Sequence, residues 1–261
     1  MRTMLEADMK LTEYRIKNKK FPGKYVFALI SDLHGDDPEE IIEILKNISP
    51  DFILAPGDIF EPLDGSQDKV NEAGFRLLSS CAEIAPTFFS PGNHEVGGTR
   101  SWSLKWKFPV GRGKNYSSEN IARLAETGVT FLDDTFVVRD GFAFGGLGSG
   151  LINAGGKPEL NHLSDFCRCD HPKILLCHHP EYYEKYLRDY DIDLIVSGHA
   201  HGGQWRFFGR GVFAPGQGIF PKYTSGVHDG KLVISRGLKK SRRIPRIFNP
   251  PEVVKIIVEP R

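Results

Sequence analysis

Histidine and carboxylate side chains fall at short spacings in five places along this chain: Asp32-Leu33-His34, Gly57-Asp58, Gly92-Asn93-His94-Glu95, His178-His179-Pro180 and Gly198-His199-Ala200-His201. Imidazole and carboxylate donors together suit Mn, Fe, Zn or a similar divalent ion, and the four cysteines, Cys81, Cys167, Cys169 and Cys177, lack the spacing of a structural zinc site. One His-x-His pair alone would be weak grounds for a metal. Asp32, His34, Asp58, Asn93, His178, His199 and His201 together are too many first ligands for one ion. Two ions roughly 3.5–4 Å apart, sharing one carboxylate and keeping positions for water and substrate, need about this number.

Such residues work together only if one scaffold brings them together. Each cluster follows a short apolar run: residues 24–30, 51–55, 87–89, 173–177 and 193–196. These runs are β-branched or aromatic and bounded by Gly or Pro, so they read as buried strands. Side chains alternate along an extended segment, so His199 and His201 can face one site. Between the early strands lie helical patterns. Asp37-Pro38 supplies an N-cap and first position for a helix striped by Ile41, Ile42, Leu45 and Ile48, and a second helix is expected over residues 67–84. This βαβαβ beginning calls for a parallel sheet, whose ligands lie outside the strand carboxyl ends. Further on, residues 129–132, 135–138 and 142–144 read as strands of a meander, and residues 181–188 as a helix.

The composition is that of an ordinary globular chain, 40% hydrophobic and 26% charged, with a formal net charge of +1. That balance gives no global attraction to nucleic acid or membrane. Basic residues cluster locally instead, at Lys17, Lys19, Lys20 and Lys24 and at Arg236, Lys239, Lys240, Arg242, Arg243 and Arg246; each cluster is a solvated face or a patch for an anionic surface. No run of 18 apolar residues and no signal-peptide pattern occurs, so a cytoplasmic protein is expected, with membrane contact at most peripheral. A single domain over residues 1–261, with a core over about 24–258, and a monomeric state are expected.

The five motifs, in this order, resemble the calcineurin-like metallophosphoesterase family. The later segments Pro215-Gly216-Gln217-Gly218 and Pro245-Arg246-Ile247-Phe248-Asn249-Pro250-Pro251 are similar to a bacterial phosphodiesterase subgroup that includes UDP-2,3-diacylglucosamine pyrophosphatases. The resemblance implies a four-layer α/β/β/α sandwich with a dinuclear metal site at the strand carboxyl ends. It implies that Asp32, His34 and His201 hold one divalent ion, that Asn93, His178 and His199 hold the other, and that Asp58 bridges. His94 would act on the substrate beside the ions. Glu61 stands where the family more often has an aspartate that orients this histidine; whether it pairs with His94 or faces water is left open by the sequence. The implied reaction is hydrolysis of a phosphoester, a phosphodiester or pyrophosphate in particular, by a hydroxide bridging the ions, with a phosphoester small molecule or a lipid-linked nucleotide as substrate. A catalytically inactive metal-binding scaffold and a nuclease are the alternatives, although the neutral total charge weighs against nucleic acid. Of the remaining residues, Asp36 and Asp37 read as helix caps, Glu95 as a support of the site or a surface residue, and His162, His171 and His228 as exposed. His179 is expected to turn away from the site. Specificity is expected in the loops over residues 96–116 and 145–161.

Overall fold

The side chains of successive strand residues part into different cores, and this divides the molecule into layers. In the computed structural model, which describes residues 8–96, 116–150, 157–240 and 245–261, Phe27 and Leu29 enter one core while Ala28 and Ile30 enter another. Phe52 and Leu54 part from Ile53 and Ala55 in the same way. Strands buried on both faces carry apolar residues at every position, as parallel sheets covered on both sides require.

The first sheet contains β1 (Lys10–Lys17), β2 (Tyr25–Leu29), β3 (Phe52–Ala55), β4 (Thr87–Phe89), β5 (Thr130–Phe131) and the last strand, β16 (Glu252–Glu259), in the order β1-β16-β2-β3-β4-β5. Strands β2 to β5 run parallel, and β16 lies antiparallel to β2 and parallel to β1. The second sheet contains β6 (Thr135–Arg139), β7 (Phe142–Leu147), β8 (Lys173–Cys177), β9 (Leu194–Ser197), β14 (Gly226–His228) and β15 (Leu232–Ile234), in the order β14-β15-β9-β8-β7-β6. Between β9 and β14 lie two small hairpins, β10 (Arg206–Phe207) with β11 (Arg210–Gly211), and β12 (Phe213–Ala214) with β13 (Gly218–Ile219).

Three cores separate four layers. The first lies between the first sheet and helices α1 (Glu39–Ile48), α2 (Asp68–Ile84) and α3 (Ser118–Glu126), and takes in Ile41, Leu45, Leu78 and Leu124. The middle core joins the two sheets, where the Phe88 and Phe144 rings stack 3.7 Å apart. The third covers the outer face of the second sheet with α4 (Leu163–Arg168) and a single π turn over Tyr183–Leu187. The architecture is therefore the α/β/β/α sandwich, with the middle core holding the two sheets in register.

Several elements differ from what the sequence suggests. Strand β1 precedes the expected first strand; its alternating charged residues belong to a sheet edge, where polar side chains are tolerated. The expected meander is divided between the sheets, since β5 pairs with β4 while β6 and β7 form a hairpin in the second sheet. The helix expected over residues 181–188 forms, but as a short turn that is π-helical over Tyr183–Leu187. Asp37 does not cap α1: Pro38 holds the N-cap position without a side-chain cap, and Asp37 pairs with Arg76 at 2.8 Å. Asp36 accepts instead from the Lys240 backbone at 2.8 Å.

Candidate metal centre

The loops that leave β2, β3, β4, β8 and β9 converge where the two sheets meet. Backbone hydrogen bonds tie them together: Asp32 N–H donates to Gly57 O, His34 N–H to Asp58 O and Gly198 N–H to His178 O. Asp32, His34, Asp58, His199 and His201 all hold positive φ, between 44° and 65°. Non-glycine residues rarely adopt this left-handed conformation, and each instance costs about 1–3 kcal/mol. Its concentration at the expected ligands marks a site whose geometry is enforced by its surroundings. Gly198 shows why no side chain is tolerated in the last loop: a Cβ there would stand 1.7 Å from Ser31 Oγ and 2.5 Å from Asp32 Oδ2.

Among the described residues four donor groups form here; His34, Glu61 and His94 make one of them, and two gather only expected ligands. The ligand atoms of Asp32, His34 and His201 lie within 4.8 Å of one another, and so do those of Asp58, His178 and His199. Asp58 stands between the groups, with Oδ2 3.8 Å from His34 Nε2 and 3.1 Å from His178 Nε2. The residues suit a metal by a direct criterion. Asn93 Oδ1 is buried without a hydrogen-bond partner, an arrangement that is costly unless something outside the protein satisfies it. His178 Nδ1–H donates to Pro56 O at 2.7 Å, which turns Nε2 toward the centre, 3.1 Å from Asp58 Oδ2.

The charges fit as well. Burial opposes ionisation of Asp58, but His178, His94 and His34 outweigh it and hold this carboxyl well below the usual range. Burial drives His199 and His201 well down, toward the neutral form that ligates metals. His178 behaves oppositely: Asp58 outweighs its burial and raises it to about 10, so a cation binding here displaces a proton. Arg246 Nη2 lies 3.3 Å from His201 Nδ1. A guanidinium donating there leaves the neutral ring's proton on Nε2, so holding a cation at Nε2 would require that proton to move to Nδ1 and Arg246 to turn away.

Beside the donors, Glu61 joins two imidazoles. Its Oε2 lies 2.9 Å from His94 Nδ1 and its Oε1 3.3 Å from His34 Nδ1. An ionised carboxylate only accepts, so both rings offer N–H to it and turn Nε2 toward the centre. Although burial opposes its charge, the two histidines lower the Glu61 pKa. His94, with a quarter of its side chain exposed, places Nε2 3.9 Å from Asp58 Oδ2. Glu95 is buried and accepts from three backbone N–H groups, those of Asp58, Phe60 and Gly92, at 2.8–2.9 Å. It thereby fixes the β3 and β4 loops to each other. Burial, followed by the charge of Asp58, raises its pKa to about 7.

The profile described as calcineurin-like phosphoesterase matches residues 25–203, most of the chain and the span that contains these donors. The chain belongs to the calcineurin-like phosphoesterase family. It is 33% identical to phosphodiesterase YaeI of Escherichia coli (strain K12) over 198 residues, which cover 73% of this chain and 64% of that one. The match thus spans just under two thirds of that relative. It is 28% identical to the uncharacterized metallophosphoesterase YkuE of Bacillus subtilis (strain 168), over 95% of this chain and 85% of that one. Among solved structures, TT1561 of Thermus thermophilus is similar with a TM-score of 0.46 and 17% identity, covering 67% of this chain and 81% of that one.

Two neighbours of this calcineurin-like site escape the sequence. His179 does not turn away: β8 ends at Cys177, so strand alternation no longer governs it. Its ring is buried 4.3 Å from that of His199, Nε2 lies 2.7 Å from Ser149 Oγ, and Nδ1 lies 3.4 Å from Glu181 Oε1. The His179, Glu181 and His199 ligand atoms also lie within 4.8 Å of one another. Burial disfavours a charged Glu181, but His179 and His199 outweigh it and lower its pKa to about 2. The adjacent His-His-Pro-Glu run was the available signal.

Part of each basic cluster is paired. Lys20 pairs with Asp191 at 2.7 Å, Lys240 with Glu40 at 2.6 Å, and Arg236 with Glu252. His171 is exposed as expected, whereas His162 and His228 are half-buried. Trp102, Trp106, Arg242, Arg243 and most of the loop expected to set specificity over residues 96–116 lie outside the described residues.

Proposed function

We propose that the chain is a phosphodiesterase that uses two divalent ions, one held by Asp32, His34 and His201, the other by Asn93, His178 and His199, with Asp58 between them. The observation that carries this reading is the pair of donor groups meeting at Asp58 beside the unpartnered Asn93 Oδ1. Mixed oxygen and nitrogen donors suit Mn, Fe or Zn. Such ions, when bound, acidify water to a nucleophile and neutralise charge on phosphoryl oxygens.

The protein's own groups supply the rest. His94 faces the centre from the solvent side, where its Nε2 can hydrogen-bond a phosphoryl or leaving-group oxygen. Glu61 holds the His94 ring by Nδ1 and favours its protonated form. Burial lowers the His94 pKa, but Asp58 and Glu61 outweigh burial and raise it. In the loaded centre Asp58 is committed to the cations, which leaves Glu61 as the carboxylate acting on His94.

A diester or pyrophosphate is favoured over a monoester by the phosphodiesterase name of YaeI, and a lipid-linked nucleotide such as UDP-2,3-diacylglucosamine is one such substrate. The test is hydrolysis by Mn-loaded protein of bis-p-nitrophenyl phosphate, p-nitrophenyl phosphate and a nucleotide-sugar pyrophosphate. Cleavage of the diester or pyrophosphate that disappears with chelator is expected. Protein shown by elemental analysis to carry metal, yet inert toward all three, would instead be a scaffold.

A further inference from the structure

Another group of buried donors lies against the Asp58 centre. The ligand atoms of His179, Glu181 and His199 fall within 4.8 Å of one another. The His179 ring is 4.3 Å from that of His199 and 5.1 Å from that of His178. Ser149, in the loop after β7, and His179 and Glu181, in the loop after β8, form the walls. The turn between β12 and β13 closes over them, since a Cβ on Gly216 would stand 2.4 Å from Glu181 Oε1. Glycine meets both demands at this position, the close approach and a φ of 71°.

Glu181 is the residue whose burial the rest of the fold does not account for. It is 5% exposed, and neither carboxylate oxygen has a partner of hydrogen-bond geometry. Among the described residues its one ion-pair neighbour is His179, whose Nδ1 lies 3.4 Å from Oε1. A proton on Nδ1 would serve Oε1 at most and leave Oε2 bare, and a bare buried carboxylate oxygen is costly. A divalent cation among the three side chains meets the carboxylate and both imidazoles at once. Ser149 prepares His179 for such an ion. Its Oγ lies 2.7 Å from Nε2, and by accepting Nε2–H it leaves the Nδ1 lone pair toward Glu181. Two imidazoles and one carboxylate are a donor set for zinc, with a fourth position open.

We propose that His179, Glu181 and His199 form a further zinc site beside the Asp58 centre, and that an ion held there withdraws His199 from that centre. The site itself depends on no reaction. The competition rests on the two-ion reading of the Asp58 centre and follows from the chemistry of the shared ring. A neutral imidazole carries one lone pair, so His199 ligates one ion at a time. At low zinc the Asp58 centre keeps His199, because Asp58 and Asn93 add oxygen donors to its two imidazoles. Zinc in excess fills the neighbouring site, takes His199 and stops hydrolysis. The chain thereby carries an inhibitory cation site that shares one ligand with the centre it controls.

The test is a crystal of the full chain, loaded with Mn, soaked in excess zinc and measured on both sides of the zinc absorption edge. An anomalous peak bonded to His179 Nδ1, Glu181 and His199 is expected. Glu181→Gln and His179→Gln should each remove that peak while keeping the ion held by Asp32, His34 and His201. In solution, wild-type hydrolysis of a soluble diester should fall as zinc rises. Both variants should need at least about 10-fold more zinc for half-inhibition, the lower end of what losing even an outer partner of a metal ligand costs in affinity. Zinc on the Asp58 centre or the surface alone overturns the site. Equal zinc inhibition of wild type and both variants overturns the competition, because exchange of Mn for zinc at the Asp58 centre would act on all three alike. The wild-type map requires neither a folded variant nor activity. A zinc peak at Glu181 in a chain inert toward every soluble phosphoester therefore supports the site and counts against the hydrolase reading.

Discussion

His94 and Glu61 separate substrate chemistry from metal binding at the level of single side chains. His94 meets Asp58 through its backbone N–H at 2.9 Å and packs its ring 4.2 Å from that of His34, neither of which occupies its Nε2, so His94→Asn should keep its metal and lose roughly 10²–10⁴ in turnover, the range of a positioned acid or charge stabiliser. Parallel loss of metal and rate would make it a ligand. Glu61→Gln tests the orienting carboxylate. Glu61 raises the His94 pKa, so the protonated imidazole persists to higher pH; removing the charge should move the limb that falls with rising pH to lower pH. A turnover loss of about 10–100-fold is expected with it. Because Glu61 also holds His34 at 3.3 Å, metal affinity should weaken modestly. A pH–rate profile superimposable on that of wild type would show that something else fixes the ring. The sequence made the ligands legible because five short motifs repeat one donor chemistry. It left Glu61 undecided, since nothing local tells a glutamate before proline whether it faces an imidazole or water.

At the scale of elements, the strands that carry the site were the easiest to read. Runs such as Phe52-Ile53-Leu54-Ala55 are apolar at every position because both sheet faces are covered, and polar motifs end them abruptly. What escaped was pairing. β5 and β6 are separated by only a few residues yet belong to different sheets, and nothing in their composition decides which partner each takes. β1 escaped because an edge strand needs only half its residues apolar. Glu95 is the element-scale device that the sequence left ambiguous, since its three donors come from the loops after β3 and β4. Glu95→Gln places an amide N–H₂ among buried N–H donors. The amide oxygen can keep the Oε2 position and its donors Asp58 and Gly92, which leaves the Phe60 N–H unsatisfied against the amide N–H₂ at a cost of about 1–3 kcal/mol. Thermal melts should show the loss. An unchanged melting temperature would mean that the loops are held without Glu95.

At the scale of the whole molecule, the proposed metal centre would act as a clasp between the two sheets, in addition to the middle core. Asp32, His34, Asp58 and Asn93 come from the first sheet, and His178, His199 and His201 from the second. In the unfolded chain these seven residues are spread over positions 32 to 201 and form no site, so ions bind the folded state and stabilise it by mass action. At a free ion concentration of about 100 times Kd the gain is about 2.7 kcal/mol. For a chain of this size that corresponds to a rise of about 5–10 °C in Tm. Chelator-treated protein titrated with Mn, Zn or Fe should therefore show a concentration-dependent Tm, with protons released as His178 gives up the proton that Asp58 holds on it. Asp58→Asn is the control. Asparagine tolerates the left-handed backbone at φ 53°, so the loop keeps its path while the central charge is lost. The variant should fold, bind little metal and hydrolyse nothing. A metal-dependent Tm in Asp58→Asn equal to that of wild type would place the ions elsewhere than between the two sheets.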